Sequence, residues 1–291
     1  MILFDSHCHL DDKAYAEDRL EVMNRAWNEG VRGIMVVGVD LQTSLDAIHM
    51  AKNHDQDNEQ DNEQGQDQSQ DQPQDPSSHM TKDHPRVITS VGIHPHDAAN
   101  CSQETLNTLK TLAQTQACVK AWGETGLDFN RMFSPQQDQE TCFSSQLDLA
   151  GSLDLPLIFH ERDSNGRFYE ILESEGPGSR KGVVHCFSGT QQEMFKYLDL
   201  GYHIGITGIL TLQQRGEYLR KIAPLIPEDR LLIETDAPYL TPAPQKNKFR
   251  RNEPAFVKSV LTTLAKIKGT DPEKLSQTIF NNTLKFYSLQ P

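Results

Sequence analysis

Four histidines and two carboxylates, His7, His9, Glu124, His160, His185 and Asp236, each stand at the end of a short apolar run. The first run closes in Asp5-Ser6-His7-Cys8-His9, and because strand side chains alternate, His7 and His9 face the same way. Two imidazoles on one face make a pair of metal ligands. Alone, that spacing also suits a hydrogen-bonded or surface pair. Glu124 lies in Trp122-Gly123-Glu124-Thr125-Gly126-Leu127-Asp128, a carboxylate among glycines, which suggests close approach of a ligand to the backbone. Its two oxygens suit a bridge between two ions. His160 and His185 each follow an apolar run directly, in Phe159-His160-Glu161-Arg162-Asp163 and Val184-His185-Cys186. In Glu234-Thr235-Asp236-Ala237-Pro238 two carboxylates share a face. Asp236 is favoured as the inward one because the chain turns at Pro238, with Glu234 competing. Such a carboxylate can ligate an ion and take a proton from water. Nitrogen and oxygen donors without thiolate suit Zn, Mn, Ni, Fe or Mg. Six donors exceed one four-coordinate site and fit two divalent metal ions (Mg, Mn or Zn) about 3.5–4 Å apart. Cys8 and Cys186 flank ligands but are expected to point away, as small buried residues.

Residues so far apart in sequence need a scaffold that gathers strand ends. Eight apolar runs qualify as strands: Ile2–Phe4, Gly33–Val39, Val87–Ile93, Cys118–Trp122, Leu155–Phe159, Gly182–Cys186, His203–Thr207 and Leu231–Ile233. Helical patterns alternate with them, and two more, near Pro254–Lys268 and Pro272–Ser288, follow the last. Alternating β and α elements imply a parallel sheet. Eight strands in this length favour a closed (β/α)8 TIM-like barrel, a single α/β domain over residues 1–291 with its active site at the C-terminal strand ends. No GxGxxG follows the first strand, which lowers a dinucleotide-binding alternative.

One tract breaks the pattern. From about Asn53 to His84 the chain is Gln, Asp, Asn, Glu and Ser with almost no apolar residue, and is expected to be a disordered acidic insertion between the second helix and the third strand. Its stretch Asp55 to Asp75 carries eight of the acids behind the formal charge of −13, so the rest is only mildly acidic and a nucleic-acid partner stays open. No apolar run approaches the roughly 18 residues of a membrane span, and MILFDSHCHL is no signal peptide. Five scattered cysteines without a CxxC suit a reducing compartment, so a cytoplasmic protein without membrane contact is expected.

The motifs DSHCHLD, GIHPHDA, WGETGLDF, HERD, HCFSG, GITGIL, LLIETDAPYL and RRNEP, in this order, make the chain resemble the TatD family of metal-dependent deoxyribonucleases. The resemblance runs nearly end to end outside the acidic tract. It implies a TIM-like barrel, one ion among His7, His9, Glu124 and Asp236, and a second among Glu124, His160 and His185. It also implies a monomer that hydrolyses phosphodiesters, with 3′→5′ exonuclease action on single-stranded DNA as the best-known activity. In that chemistry Asp236 and Glu124 are the catalytic carboxylates, and Asp236 deprotonates the attacking water. His94, His96, Arg162, Arg251 and Asn252 are candidates for binding the substrate phosphate, with Arg162 alternatively paired to Asp163 or Glu124. Few aromatics flank the site, so slight sequence selectivity is expected. The rival within hydrolases is an amidohydrolase acting on a C–N or carboxyl-ester bond. A cationic clamp favours phosphate, whereas an apolar pocket favours the rival. A metal-stabilised scaffold without turnover is a third reading, disfavoured by the complete ligand set.

Overall fold

The computed structural model describes residues 1–66, 84–176 and 180–290. Eight strands, β1 (Leu3–Cys8), β2 (Val31–Val37), β3 (Arg86–Val91), β4 (Val119–Asp128), β5 (Leu157–Arg162), β6 (Gly182–Val184), β7 (His203–Ile206) and β8 (Leu231–Ile233), lie in sequence order, each parallel to the next. The ring closes between β8 and β1 just past β8. Asp236 N donates to His7 O at 2.9 Å, and His9 N donates to Ala237 O at 2.7 Å. The expected (β/α)8 barrel is therefore the fold.

Helices α1 (Arg19–Asn28), α2 (Leu41–Gln66), α3 (Gln103–Thr115), α4 (Gln136–Leu153), α5 (Arg167–Ser174), α6 (Gln191–Asp199) and α7 (Glu217–Ile222) connect the strands, and α8 (Val257–Lys268) and α9 (Pro272–Phe286) follow. Their starts are set locally. Ser102 and Asp271 cap α3 and α9 through their side chains, and Thr190 with Glu193 forms a reciprocal capping box on α6. Helix α2 runs on to Gln66, so the acidic tract begins as helix, and residues 67–83 lie outside the described residues. Gln, Glu and Asp are tolerated in helices, and no proline interrupts this stretch before Pro73. Among the described residues no helix is long and apolar enough to cross a membrane.

Alternation divides the core in two. Phe4, Met35, Val37, Ile88, Ala121, Ile158, Val183 and Leu232 point into the barrel, where Leu284, Phe286, Tyr287 and Leu289 from the end of the chain plug it. The opposite strand faces, including Val36, Trp122, Phe159, Val184 and Ile204, pack under the helices against Leu109, Phe143, Phe168 and Leu261. The interior apolar layer ends one step below the six candidate ligands. Above it, polar side chains replace apolar ones at the mouth.

Candidate metal centre

Three strands deliver their residues to the mouth by plain alternation. Ile158 faces inward, so His160 does; Val183 places His185; Leu232 places Glu234 and then Asp236. Two strands need an extra residue. In β1 the register moves three residues, from Asp5 to Cys8, while β2 moves two, from Ile34 to Val36. In β4 it moves from Trp122 to Thr125 while β5 moves from Leu157 to Phe159. Each is a bulge that re-aims the following side chains. Strict alternation from inward Phe4 would turn His7 and His9 outward, and the β1 bulge turns them in. The β4 bulge does the same for Glu124. The glycines beside Glu124 serve the strands and not a ligand. Gly126 has φ +147°, and a Cβ there would meet the His160 carbonyl, so only glycine lets β4 and β5 lie this close.

Glu124 is the hub, with its side chain 3% exposed. Its Oε1 lies 2.7 Å from His160 Nδ1, 3.3 Å from His185 Nε2 and 3.5 Å from His94 Nε2, and its Oε2 lies 3.4 Å from His7 Nε2. Asp236 Oδ1 is 3.5 Å from His9 Nε2 and 3.8 Å from His7 Nε2. Burial alone would raise both carboxyls, but the imidazoles outweigh it, His185 and His94 first at Glu124 and His9 first at Asp236. Both are held below the usual carboxylate range. Against the burial that would lower it, His9 is pushed up to about 9 by Asp236, and His160 to about 9 by Asp128 and Glu124. Burial, aided by a neighbouring imidazole, pulls His7 and His94 down.

The sequence left Glu234 and Asp236 as rivals, and the structure gives each a place. Glu234 is buried, lies 3.3 Å from His185 Nδ1 and accepts the Cys186 N–H. Asp236, at φ +58°, turns its carboxylate to the mouth. Asp5, buried beneath, holds the intervening residue: Thr235 N and Oγ1 donate to its oxygens at 2.8 and 2.5 Å. Two supporting residues carried no assignment from sequence. Asp128 Oδ2 lies 3.3 Å from His160 Nε2 and 2.9 Å from His96 Nε2. Gln146 accepts from Ile93 N and Trp122 Nε1 and donates to Ile93 O, fixing the chain just before His94.

The phosphate candidates separate. His94 joins the hub, 3.1 Å from His160 Nδ1, and His96 pairs with Asp128 at the rim. Arg162 lines the mouth and, among the described residues, has no carboxylate within ion-pair distance, so it pairs with neither Asp163 nor Glu124. Arg251 and Asn252 are not brought to the mouth. Arg251 forms a two-pronged ion pair with Asp18, at 2.7 and 2.6 Å, and lies over Tyr15. Asn252 is fully buried and donates to Thr235 O and Tyr239 O, bracing the turn after β8. Arg131, Arg215 and Lys13 also line the mouth without an ion pair among the described residues, and isolated cations on loops left no sequence signal. Cys8 is buried in the core as expected. Cys186 departs from expectation: at φ +48° it leaves the strand path, lines the mouth and comes within reach of His185 and Asp236.

The donor geometry suits cations. Ligand atoms of His7, His9 and Glu124 lie within 4.8 Å of one another, as do those of His94, Glu124 and His160, and of His7, His185 and Glu234. Both ring nitrogens of His7 are buried without a hydrogen-bond partner, an arrangement that costs about 1–3 kcal/mol per orphaned atom. A cation bound at one of these nitrogens would relieve that nitrogen's share of the cost. The centre opens into a cavity of about 990 Å³, large enough for several nucleotides or a comparable ligand.

Comparison with known proteins identifies the chain's relatives. A curated relative from Rahnella sp., named 3′-5′ ssDNA/RNA exonuclease TatD, is 39% identical over 99% of this chain and 98% of its own. One of the same name from Pantoea ananatis is 36% identical over 99% and 100%. The crystal structure of a TatD family hydrolase from Entamoeba histolytica superposes with a TM-score of 0.81 at 26% identity, covering 99% of this chain and 98% of that one. Residues 4–288 match the family described as TatD related DNase, and the chain belongs to that family.

Proposed function

We propose that this protein is a divalent-metal-dependent nuclease that removes nucleotides from the 3′ end of single-stranded DNA. The observation that carries the choice of phosphate is that Lys13, Arg131, Arg162 and Arg215, without ion-pair partners among the described residues, share the mouth with a nitrogen and oxygen donor cluster. Guanidinium and ammonium groups free to donate there suit phosphate oxygens, which a neutral amide or ester lacks. The curated relatives' names extend the reading to RNA strands as well.

In this reading His7, His9 and Asp236 would hold one divalent ion with Glu124, and Glu124, His160 and His185 would hold a second, with His94 beside that group. Mg, Mn and Zn all suit these donors. Such ions, when bound, would supply Lewis-acid polarisation of the scissile phosphate and a water of lowered pKa. The chain's own residues do the rest. Asp236, ionised and at the mouth, accepts the proton of the attacking water. Arg162, Arg131 and Arg215 neutralise charge as it builds on the phosphate oxygens. Asp128 fixes the ring of His160 through the nitrogen turned from Glu124, and Glu234 places a carboxylate 3.3 Å from the corresponding nitrogen of His185. Operation as a cytoplasmic monomer is part of the same proposal, supported by the absence of disulfides among the described residues and by family resemblance.

The test pairs two substrates. Protein with Mg or Mn is expected to shorten a 3′-labelled single strand and to stop in EDTA. No shortening, with brisk turnover of a carboxyl ester, would move the assignment to the amidohydrolase rival.

A further inference from the structure

Between Asp236 and Glu253 the chain holds no acid, and Lys246, Lys248, Arg250 and Arg251 fall within six residues of it, in a protein of net charge −13. This connection runs from β8 toward α8. Lys246, Lys248, Phe249 and Arg250 are all exposed, and among the described residues the three cations have no carboxylate within ion-pair distance. Their neighbour Arg251 is spent on Asp18. Phe249 is 53% exposed, its ring 5.6 Å from that of Phe256.

The segment is held in place rather than trailing. Lys248 N and Phe249 N both donate to Gln245 O at 2.8 Å, Gln245 Nε2 donates to Ser259 Oγ at 2.7 Å, and Thr241 Oγ1 donates to Arg250 O at 3.1 Å. It walls a second cavity of about 870 Å³. That cavity and the metal-centre mouth share both walls. Tyr239 and Leu240 of the same connection line the mouth, while Lys248 to Arg251 line the second cavity; Arg19 of α1 lines the mouth, while Arg25 and Asn28 line the second cavity. Arg19 and Arg25 are separated by about 9 Å along the helix, roughly three stacked nucleotides.

An exposed ring between unpaired cations, fixed in position, is the composition that holds a single strand: the cations track phosphates and the ring offers a stacking face to any base. We propose that Lys248, Phe249 and Arg250 form a second binding site, on which the nucleotides upstream of the scissile 3′ end rest, so that the protein grips a long single strand more tightly than a short one. The proposal rests on the nuclease reading above and assigns that substrate's path.

The test compares a dinucleotide with a dodecamer, using the full chain, Lys248→Gln/Arg250→Gln and Phe249→Ala, with melting curves to verify folding. Binding of the labelled dodecamer is followed by fluorescence anisotropy in EDTA, which needs no turnover. Phe249→Ala is expected to weaken dodecamer binding and raise its KM roughly tenfold, the lower half of the range for one stacked base. The double variant is expected to weaken both similarly and to reduce the slope of log affinity against log salt by about 1.4, two phosphate contacts at roughly 0.7 each. Dinucleotide kcat/KM stays at the wild-type value in both. Folded variants with wild-type dodecamer affinity, KM and salt slope overturn the proposal, as do variants that lose both substrates in equal proportion. If wild type cleaves neither oligomer the nuclease reading fails, and anisotropy still judges the site: a variant-sensitive dodecamer supports it and an insensitive one overturns it.

Discussion

Replacing Glu124 with glutamine keeps volume and hydrogen-bonding capacity and removes one charge from the hub. Four imidazole nitrogens lie within 3.5 Å of this carboxylate, and it belongs to two donor groupings, with His7 and His9 and with His94 and His160. Its loss should therefore weaken both ions together. An ion at roughly a hundred times its Kd stabilises the folded state by about 2.7 kcal/mol. With an unfolding entropy near 2.1 cal/mol/K per residue, a chain of 291 residues gains about 4–5 °C in Tm for each such ion. Loss of a residue that merely supports a ligand costs about 10–100-fold in metal affinity, so loss of a ligand itself should cost at least the upper figure. At the same metal concentration the variant then keeps about 0.4 kcal/mol, less than about 1 °C per ion. The assay is calorimetry of EDTA-dialysed protein with and without Mn or Mg, beside metal content by mass spectrometry. Ser188→Ala, an exposed change in the mouth wall, should keep the full shift. A Glu124→Gln protein with wild-type stoichiometry and the full rise in Tm would refute the hub.

Asp236→Asn should lower kcat on a 3′-labelled strand by about 10²–10⁴ at a Mn concentration that restores wild-type metal content, the signature of a lost proton acceptor beyond a lost ligand. Gly126→Ala must hold φ +147° and press a methyl onto the His160 carbonyl, so urea unfolding should show a loss above about 2 kcal/mol together with reduced metal uptake. Gln146→Leu strands the Ile93 N–H and Trp122 Nε1–H in the core, at about 1–3 kcal/mol each, and denaturant midpoints will register it. His203 is lowered to about 4 by burial and by Arg230, from 6.5. Between these values the unfolded chain binds the proton and the folded one does not, so stability falls as pH drops from about 6.5 to about 4 and levels below, by at most about 3 kcal/mol. His203→Gln should flatten that stretch of the stability profile.

The barrel was legible because eight apolar runs alternate with helical patterns, and several of those runs stop where a donor begins, as at Phe159-His160 and Val184-His185. His160, His185 and Asp236 follow from a two-residue period carried from the apolar interior. The bulges in β1 and β4 were not legible, since one extra residue in a strand leaves no mark in composition. His7 and His9 share a face with or without it, but which face depends on that insertion. The glycines around Glu124 were visible, yet their reason, the carbonyl of a strand met only after folding, was not. Arg251 and Asn252 were misplaced for the same reason. Their partners, Asp18 and the carbonyls of Thr235 and Tyr239, are set by the closed ring and not by neighbours in sequence.

The seam between β8 and β1 gives the centre a schedule. His7 and His9 emerge from the ribosome first, and Asp236, which bonds to the His7 carbonyl across the seam, follows some 230 residues later. At 5–20 residues per second that gap lasts roughly 10–45 s. Through that interval the donor set lacks the carboxylate proposed as its proton acceptor, and the ring is open. On that proposal a nascent chain carries no complete centre beside the message that encodes it, and the donor set is whole only once the last strand docks on the first.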